Sequence, residues 1–309
     1  MPKHAPARKA LVLFSLLTAL LFCSLLLNPS KAQQQSDDDD VMRVNTDLVV
    51  LNVTVADANG KYAHGLKKTD FKLFEDGKEQ TIASFSAEET PFAAAVLLDT
   101  SGSMENRITL ARSAAIRFLD GLREEDVAAI YHFDSKIEQV QEFSSSRDLA
   151  PVAFNLRADG MTSLNDAILK AARDLSERPE KRRAIIVLSD GADNSSSASV
   201  DKALANAIAA SATIYTVDMS QQGSKDRQMG MGALRNFAAK SGGRYVSTPG
   251  GQQLREAFAS IVEELSNQYT LTYRPTNRAR DGRWREVGVK LERPQLLART
   301  RKGYRAPKD

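Results

Sequence analysis

The sequence predicts an α/β protein: a doubly wound, mostly parallel sheet flanked by helices, with a smaller antiparallel β-sandwich built from both chain ends. Over residues 91–267, apolar runs alternate with segments whose apolar residues recur at helical spacing, as a parallel sheet with crossover helices requires. The flanking stretches 47–90 and 268–309 instead hold short strand-like runs broken by turn chemistry, and three such strands cannot close a good core alone. The two ends are therefore expected to pair, with residues 91–267 inserted between them.

Residues 1–32 stand outside this globule. Lys3, Arg8 and Lys9 precede the almost wholly apolar stretch Leu11 to Leu27, and Ser30-Lys31-Ala32 offers small residues where a signal peptidase reads. This is an export signal, so a periplasmic or secreted protein is expected; because the apolar stretch is long, an uncleaved N-terminal membrane anchor is the alternative. Cys23 fills the core of that segment. Residues 33–46, with three glutamines and the run Asp37 to Asp40, read as a flexible linker.

Leu48 to Val55 reads as a strand entering a hairpin at Asp57-Ala58-Asn59-Gly60, and Phe71 to Glu75 and Thr81 to Phe85 are strands around Asp76-Gly77. In the middle region, strands are expected at Phe92 to Leu98, Val127 to Phe133, Ala184 to Leu188, Thr213 to Val217 and Tyr245-Val246, with Gln139 to Phe143 as an antiparallel edge. Helices are expected at Ile108 to Leu119, Leu164 to Leu175, Val200 to Ala210, Met231 to Lys240 and Leu254 to Leu265. Strands at Tyr269 to Tyr273, Arg285 to Leu291 and Ala298 to Arg301 close the chain.

Composition narrows the chemistry. The full chain carries 42 basic and 39 acidic residues; without residues 1–32 the balance is 38 to 39, so the exported part is near neutral. Overall charge therefore gives no ground for nucleic-acid binding or a polybasic membrane footprint, and membrane contact is expected only through an uncleaved N-terminal segment. The single cysteine lies in the export segment, which leaves no disulfide and no thiol nucleophile. His64 and His132 alone cannot supply a structural zinc site.

The most informative segment is Asp99-Thr100-Ser101-Gly102-Ser103, at the end of the first buried strand. A carboxylate and two hydroxyls leave one turn, and the glycine lets them converge on a hard cation such as Mg²⁺. Gly160-Met161-Thr162-Ser163 adds a loop hydroxyl before a helix, and Ser189-Asp190-Gly191 a second carboxylate at a strand end. Each residue also has a bland reading: Asp99 and Ser101 could cap a helix beginning near Glu105, and Thr162 one beginning at Leu164.

Taken together, these three segments resemble the metal-ion-dependent adhesion site of a von Willebrand factor type A domain. The flanking runs Leu66 to Gly77, Gln268 to Asn277 and Asp281-Gly282-Arg283-Trp284-Arg285 resemble an exported group of type A proteins from acidobacteria. The resemblance implies a metal site of Asp99, Ser101, Ser103, Thr162 and Asp190 holding Mg²⁺, with Mn²⁺ as the alternative. The two serines would coordinate directly, Thr162 directly or through water, and the carboxylates directly or through bridging waters. A protein ligand presenting Asp or Glu would complete the coordination. Glu105, Asn106 and Asp193 lie at the same mouth as candidates for the partner-binding rim, and Gln221 to Asp226 and Asn194 to Ser197 are candidate partner-reading loops. The expected function is an exported adhesion-type module and no enzyme. The alternatives are a structural component of a cell-envelope assembly and a hydrolase using Ser101 or Ser103, against which stands the absence of a Gly-x-Ser-x-Gly elbow.

Overall fold

The structure, a computed structural model, describes residues 48–308 apart from 88–89, 152, 154–155, 221–226 and 248–250. The expected export signal over 1–32, the linker over 33–46 and the candidate loop Gln221 to Asp226 lie outside the described residues. Among the described residues, no helix is long and apolar enough to cross a membrane.

The central sheet is built from β5 (Phe92–Asp99), β6 (Val127–Phe133), β7 (Ile137–Ser144), β8 (Arg182–Ser189), β9 (Ala212–Asp218) and β10 (Tyr245–Ser247), in the order β10-β9-β8-β5-β6-β7. All neighbours are parallel except the edge pair β6 and β7. Every residue of β5 is buried, as a central strand covered on both faces demands. Phe92, Ala94, Val96 and Leu98 point into one core, with helices α1 (Ile108–Asp120) and α5 (Gly251–Ser266). Ala93, Ala95 and Leu97 point into the other, with α2 (Leu164–Ser176), α3 (Val200–Ala209) and α4 (Arg227–Ser241). The small alanines let helices approach the strand closely. Strand order reverses between β5 and β8, which makes the crevice beyond their carboxyl ends the place where an open α/β sheet binds ligands.

Both chain ends form two four-stranded antiparallel sheets. One has the order β13-β1-β11-β4, from β1 (Val49–Asp57), β4 (Ile82–Ser86), β11 (Gln268–Tyr273) and β13 (Leu296–Arg299). The other has the order β14-β12-β2-β3, from β2 (Phe71–Glu75), β3 (Lys78–Gln80), β12 (Trp284–Leu291) and β14 (Gly303–Arg305). In each sheet a strand from the N-terminal stretch pairs with one from the C-terminal stretch, Leu51 opposite Leu271 and Leu73 opposite Val289. Leu51, Val53, Leu73, Tyr269, Leu271 and Val287 share a third core between the sheets.

The two modules meet at the amino-terminal edge of the parallel sheet. Arg182, fully buried at the start of β8, donates to the carbonyls of Ala87 and Leu265 at 2.6 and 3.2 Å, so one guanidinium holds both connections between modules. Glu264 of α5, 1% exposed, accepts hydrogen bonds from Tyr215 (2.7 Å) and Thr54 (3.1 Å) and pairs with Arg299. This carboxylate bonds to a strand of the parallel sheet and to two strands of the sandwich at once.

Element bounds differ from the sequence expectation at a few informative places. The chain after β5 makes a short 3-10 turn over Gly102–Met104 that the sequence did not suggest, before α1 starts at Ile108 as expected. Helix α4 begins a turn earlier than Met231, its two glycines accepted inside it. The final expected strand, Ala298 to Arg301, falls at the end of β13: the chain leaves that strand at Arg299 and crosses to the other sheet, where β14 begins at Gly303.

Candidate functional site

Asp99 is the last residue of β5 and is fully buried. Its Oδ1 accepts the backbone N–H of Ser101 at 2.9 Å and the Ser101 hydroxyl at 2.5 Å, while its Oδ2 accepts the Ser189 hydroxyl at 2.5 Å. The register explains the last contact: Leu98 stands opposite Leu188, which sets Asp99 beside Ser189. Desolvation pushes the Asp99 carboxyl up to about 6, against the three hydrogen bonds that favour its ionised form; nearby Asp190 adds to the upward push. The groups that bond it are neutral, so the buried negative charge is only partly compensated.

Ser101 is also buried, and its Oγ lies 3.1 Å from the Oγ of Ser103. That spacing is close to the edge of an octahedron around Mg²⁺, about 2.9 Å for metal–oxygen distances of roughly 2.0–2.1 Å. Because Ser101 donates to Asp99, its lone pairs stay available to a cation. Neither bland capping role is used. Ser101 makes no side-chain cap bond to the 3-10 turn, and the N-cap of α2 is Ser163, not Thr162, again without a side-chain cap bond.

The Thr162 loop is drawn against the serine loop by two backbone contacts, Gly102 N–H to the Gly160 carbonyl at 3.2 Å and Asp159 N–H to the Thr100 carbonyl at 2.8 Å. Thr162 itself is buried and clamped by Asn194. Its N–H donates to Asn194 Oδ1 at 2.8 Å, and its carbonyl accepts the N–H groups of Asn194 and Ser195 at 3.1 and 3.0 Å. Asp190 follows Ser189 directly, is partly exposed, and turns one oxygen back to the N–H of Ala192 at 3.1 Å. The donor set is thus two carboxylates and three hydroxyls, all hard oxygens of the kind Mg²⁺ and Mn²⁺ prefer. Among the described residues, no three His, Cys, Asp or Glu side chains gather as a metal cluster, so a cation here would depend on the hydroxyls.

The rim residues differ in character. Glu105 and Asn106 are exposed just after the 3-10 turn. Asp193 is exposed but commits its oxygens to the N–H groups of Asn165 (2.8 Å) and Ser196 (3.1 Å), bracing the start of α2. Asn194 to Ser197 are likewise structural, with Ser196 and Ser197 joined to Asp166. Met161, between Gly160 and Thr162, is 52% exposed.

Three contributors escaped the sequence reading. Ser189 bonds Asp99, Asn194 bonds Thr162, and His132 sets its Nδ1 3.2 Å from Thr100 Oγ1 inside the Asp99–Ser103 loop. The first two lie in segments quoted for other reasons. The third follows from the β5–β6 register, which no local pattern reveals.

The family model for the von Willebrand factor type A domain matches residues 95–260. The chain belongs to this family. Its type A domain coincides with the parallel sheet, its helices and the crevice just described. An uncharacterized protein of Synechocystis sp. is 25% identical over 187 residues, 57% of this chain and 42% of the relative, so the chain spans less than half the length of that relative. Among solved structures, a von Willebrand factor type A protein from Catenulispora acidiphila superposes with a TM-score of 0.49 at 14% identity, covering 78% of this chain and 74% of that one. An aerotolerance-related membrane protein from Bacteroides fragilis gives 0.44 at 18% identity, covering 56% and 98%. The pilus adhesin SpaC from Lactobacillus rhamnosus GG gives 0.47 at 11% identity, covering 81% and 49%.

Proposed function

We propose that this type A domain is an exported, non-enzymatic binding module that captures a protein partner through a divalent cation. Ser101, Ser103 and Thr162 would hold Mg²⁺, or Mn²⁺, with Asp99 and Asp190 acting directly or through water. When bound, the cation would offer a Lewis-acidic position to an Asp or Glu carboxylate of the partner. The observation that carries this reading is the buried Asp99 carboxylate, which accepts both polar groups of Ser101 and leaves the neighbouring hydroxyls 3.1 Å apart.

The chain's own residues divide the work. Asp99 orients Ser101 and supplies buried negative charge, Ser189 orients Asp99, and Asn194 fixes Thr162 against the serine loop. Neutral hydroxyls nearest the cation would leave much of its charge for an incoming carboxylate. A hydrolytic role for Ser101 finds no support in the imidazole beside the loop: His132 meets Thr100, whose buried hydroxyl donates to the Phe133 carbonyl at 3.1 Å. Export, and membership of the acidobacterial exported group, rest on the N-terminal apolar segment and on the flanking motifs.

Calorimetric titration of Mg²⁺ into residues 33–309 tests the reading. Binding is expected for the wild type and lost in the Asp99→Ala, Ser101→Ala double variant while far-ultraviolet circular dichroism stays unchanged. Equal heats from both proteins would overturn it. Pull-down with and without chelator then separates a partner-binding cation from one that only stabilises an envelope component.

A further inference from the structure

The near-neutral balance of residues 33–309 hides a strong separation of charge. Residues 268–309 carry twelve basic and four acidic residues, a net +8, whereas residues 33–267 carry 26 basic and 35 acidic, a net −9. Much of the excess is concentrated around one aromatic side chain. Trp284 opens β12 and lies over Gly303 of β14, where a Cβ would stand 2.6 Å from its ring, and it remains 42% exposed. Its cross-strand partner is Arg305. Arg283 precedes it, with its side chain 81% exposed, and the bridge between Asp281 and Lys308 brings Lys308 alongside. Arg278 and Arg280 are exposed on the loop that leads in. Among the described residues three acids lie close: Asp281, which faces Arg285 at 2.9 Å and Arg283 at 3.9 Å, Glu286 on the outward face of β12, and Asp76, which accepts the Glu286 N–H and lies 4.0 Å from Arg285. Farther along that outward face, Lys290 lies over the ring of Phe74.

We propose that this face of the sandwich docks on an anionic lipid bilayer. A cluster of this many Lys and Arg is what an anionic headgroup surface attracts, and a tryptophan, apolar in its body and polar at its N–H, settles at headgroup depth. A surface for single-stranded nucleic acid would present several aromatic platforms for successive bases. Among the described residues Trp284 is the one large aromatic exposed, the other exposed large hydrophobics being Met161 and Leu297.

The placement gives this contact a use. The metal crevice lies at the carboxyl ends of β5 and β8. The sandwich is bound to the opposite edge, where Arg301 donates to the Ile208 carbonyl and Lys302 to that of Lys240, at the carboxyl ends of α3 and α4. Docking through the sandwich therefore keeps the sheet's amino-terminal edge toward the bilayer and leaves the crevice facing outward.

Trp284 is the only tryptophan in the chain, so its fluorescence reports on this site alone. Residues 33–309, which contain all three cores and lack the N-terminal apolar stretch, are mixed with vesicles of equal parts phosphatidylglycerol and phosphatidylcholine, with pure phosphatidylcholine vesicles, and with a single-stranded DNA oligonucleotide. Co-sedimentation with the phosphatidylglycerol vesicles and a blue shift of the emission are expected at low salt, and both should vanish in half-molar salt. Arg283→Glu with Arg305→Glu should lower the partition coefficient at least about twentyfold, since each basic residue near such a surface contributes about fivefold. Arg117→Glu, an exposed charge on α1, should change it less than about twofold. The proposal is overturned by an absent shift with phosphatidylglycerol vesicles, by an equal response to pure phosphatidylcholine, by a loss in Arg117→Glu matching that of the double reversal, or by a response to the oligonucleotide alone.

Discussion

Gly191 and Gly230 meet backbone to backbone. A Cβ on Gly191 would stand 2.3 Å from the Gly230 carbonyl oxygen, and one on Gly230 would stand 2.3 Å from the carbonyl oxygen of Asp190. Gly191 also has φ +80°, a conformation that side chains rarely adopt. The loop that carries the second carboxylate of the crevice is thus pressed directly on the first turn of α4. Gly230→Ala should push the two apart, costing about 1–3 kcal/mol and weakening Mg²⁺ binding together with stability. Gly232, in the same helix with open space around it, supplies the control: Gly232→Ala should gain roughly 0.5–1 kcal/mol and leave Mg²⁺ affinity unchanged. Urea unfolding and calorimetry on both variants check the contrast.

Ser189 carries a second prediction. Its hydroxyl donates to Asp99 Oδ2 and accepts the N–H of Gly191 at 2.9 Å, so one side chain ties the first carboxylate to the loop of the second. Ser189→Ala removes a bond that favours the ionised carboxylate and leaves a buried N–H unpaired. Mg²⁺ affinity should fall about tenfold, with a stability loss of about 1–2 kcal/mol. Affinity equal to wild type would show that Asp99 needs no such orientation.

The sequence exposed the frame of this site and left its supports hidden, for a physical reason. Buried parallel strands advertise themselves as unbroken apolar runs; Asp99 is legible as the first polar break after one, and Asp190 because only Ser189 separates it from another. Whether Ser101 and Thr162 cap helices or face a cation was open in the sequence, because both roles favour a small hydroxyl at a strand-to-helix turn. The geometry sets the capping role aside, with Ser101 bonding Asp99 and Ser163 taking the cap position. Ser189, Asn194 and His132 depend on strand register and on loops that meet across the sheet, which local periodicity does not encode. The crossing after β13 is equally nonlocal: Thr300 bonds the Asn52 carbonyl at 2.8 Å as the chain passes between sheets.

Glu264 should be the costliest single carboxylate to remove outside the crevice. It is 1% exposed and satisfies Tyr215, Thr54 and Arg299, which come from β9, β1 and β13. Glu264→Ala leaves two buried hydroxyls without their acceptor and Arg299 without its counter-charge, and breaking such a partnered buried charge costs about 3–5 kcal/mol. Wild type is expected to unfold in one urea transition, because Glu264 and Arg182 bind the modules together. The variant should unfold at lower urea and in two steps, resolved by comparing circular dichroism with the fluorescence of Trp284 in the sandwich.

Alkaline pH offers a test of the same buried polar architecture. Tyr62 is pushed up to about 12, chiefly by desolvation, and desolvation likewise leads the upward shifts of Tyr131, Tyr215, Tyr273 and Tyr304. Four of these hydroxyls also donate to carboxylates that would repel a phenolate: Tyr131 to Asp174, Tyr215 to Glu264, and Tyr273 and Tyr304 to Glu75. Each folded-state value lies above the unfolded one, so between the two the native protein holds more protons than the unfolded chain. The stability these tyrosines contribute is therefore fully present below about pH 10 and is lost as pH rises through the folded values. Phenolate absorbance should rise little up to about pH 11 and then climb together with the loss of circular dichroism. A smooth titration centred near pH 10, with the fold intact, would contradict the burial of these hydroxyls.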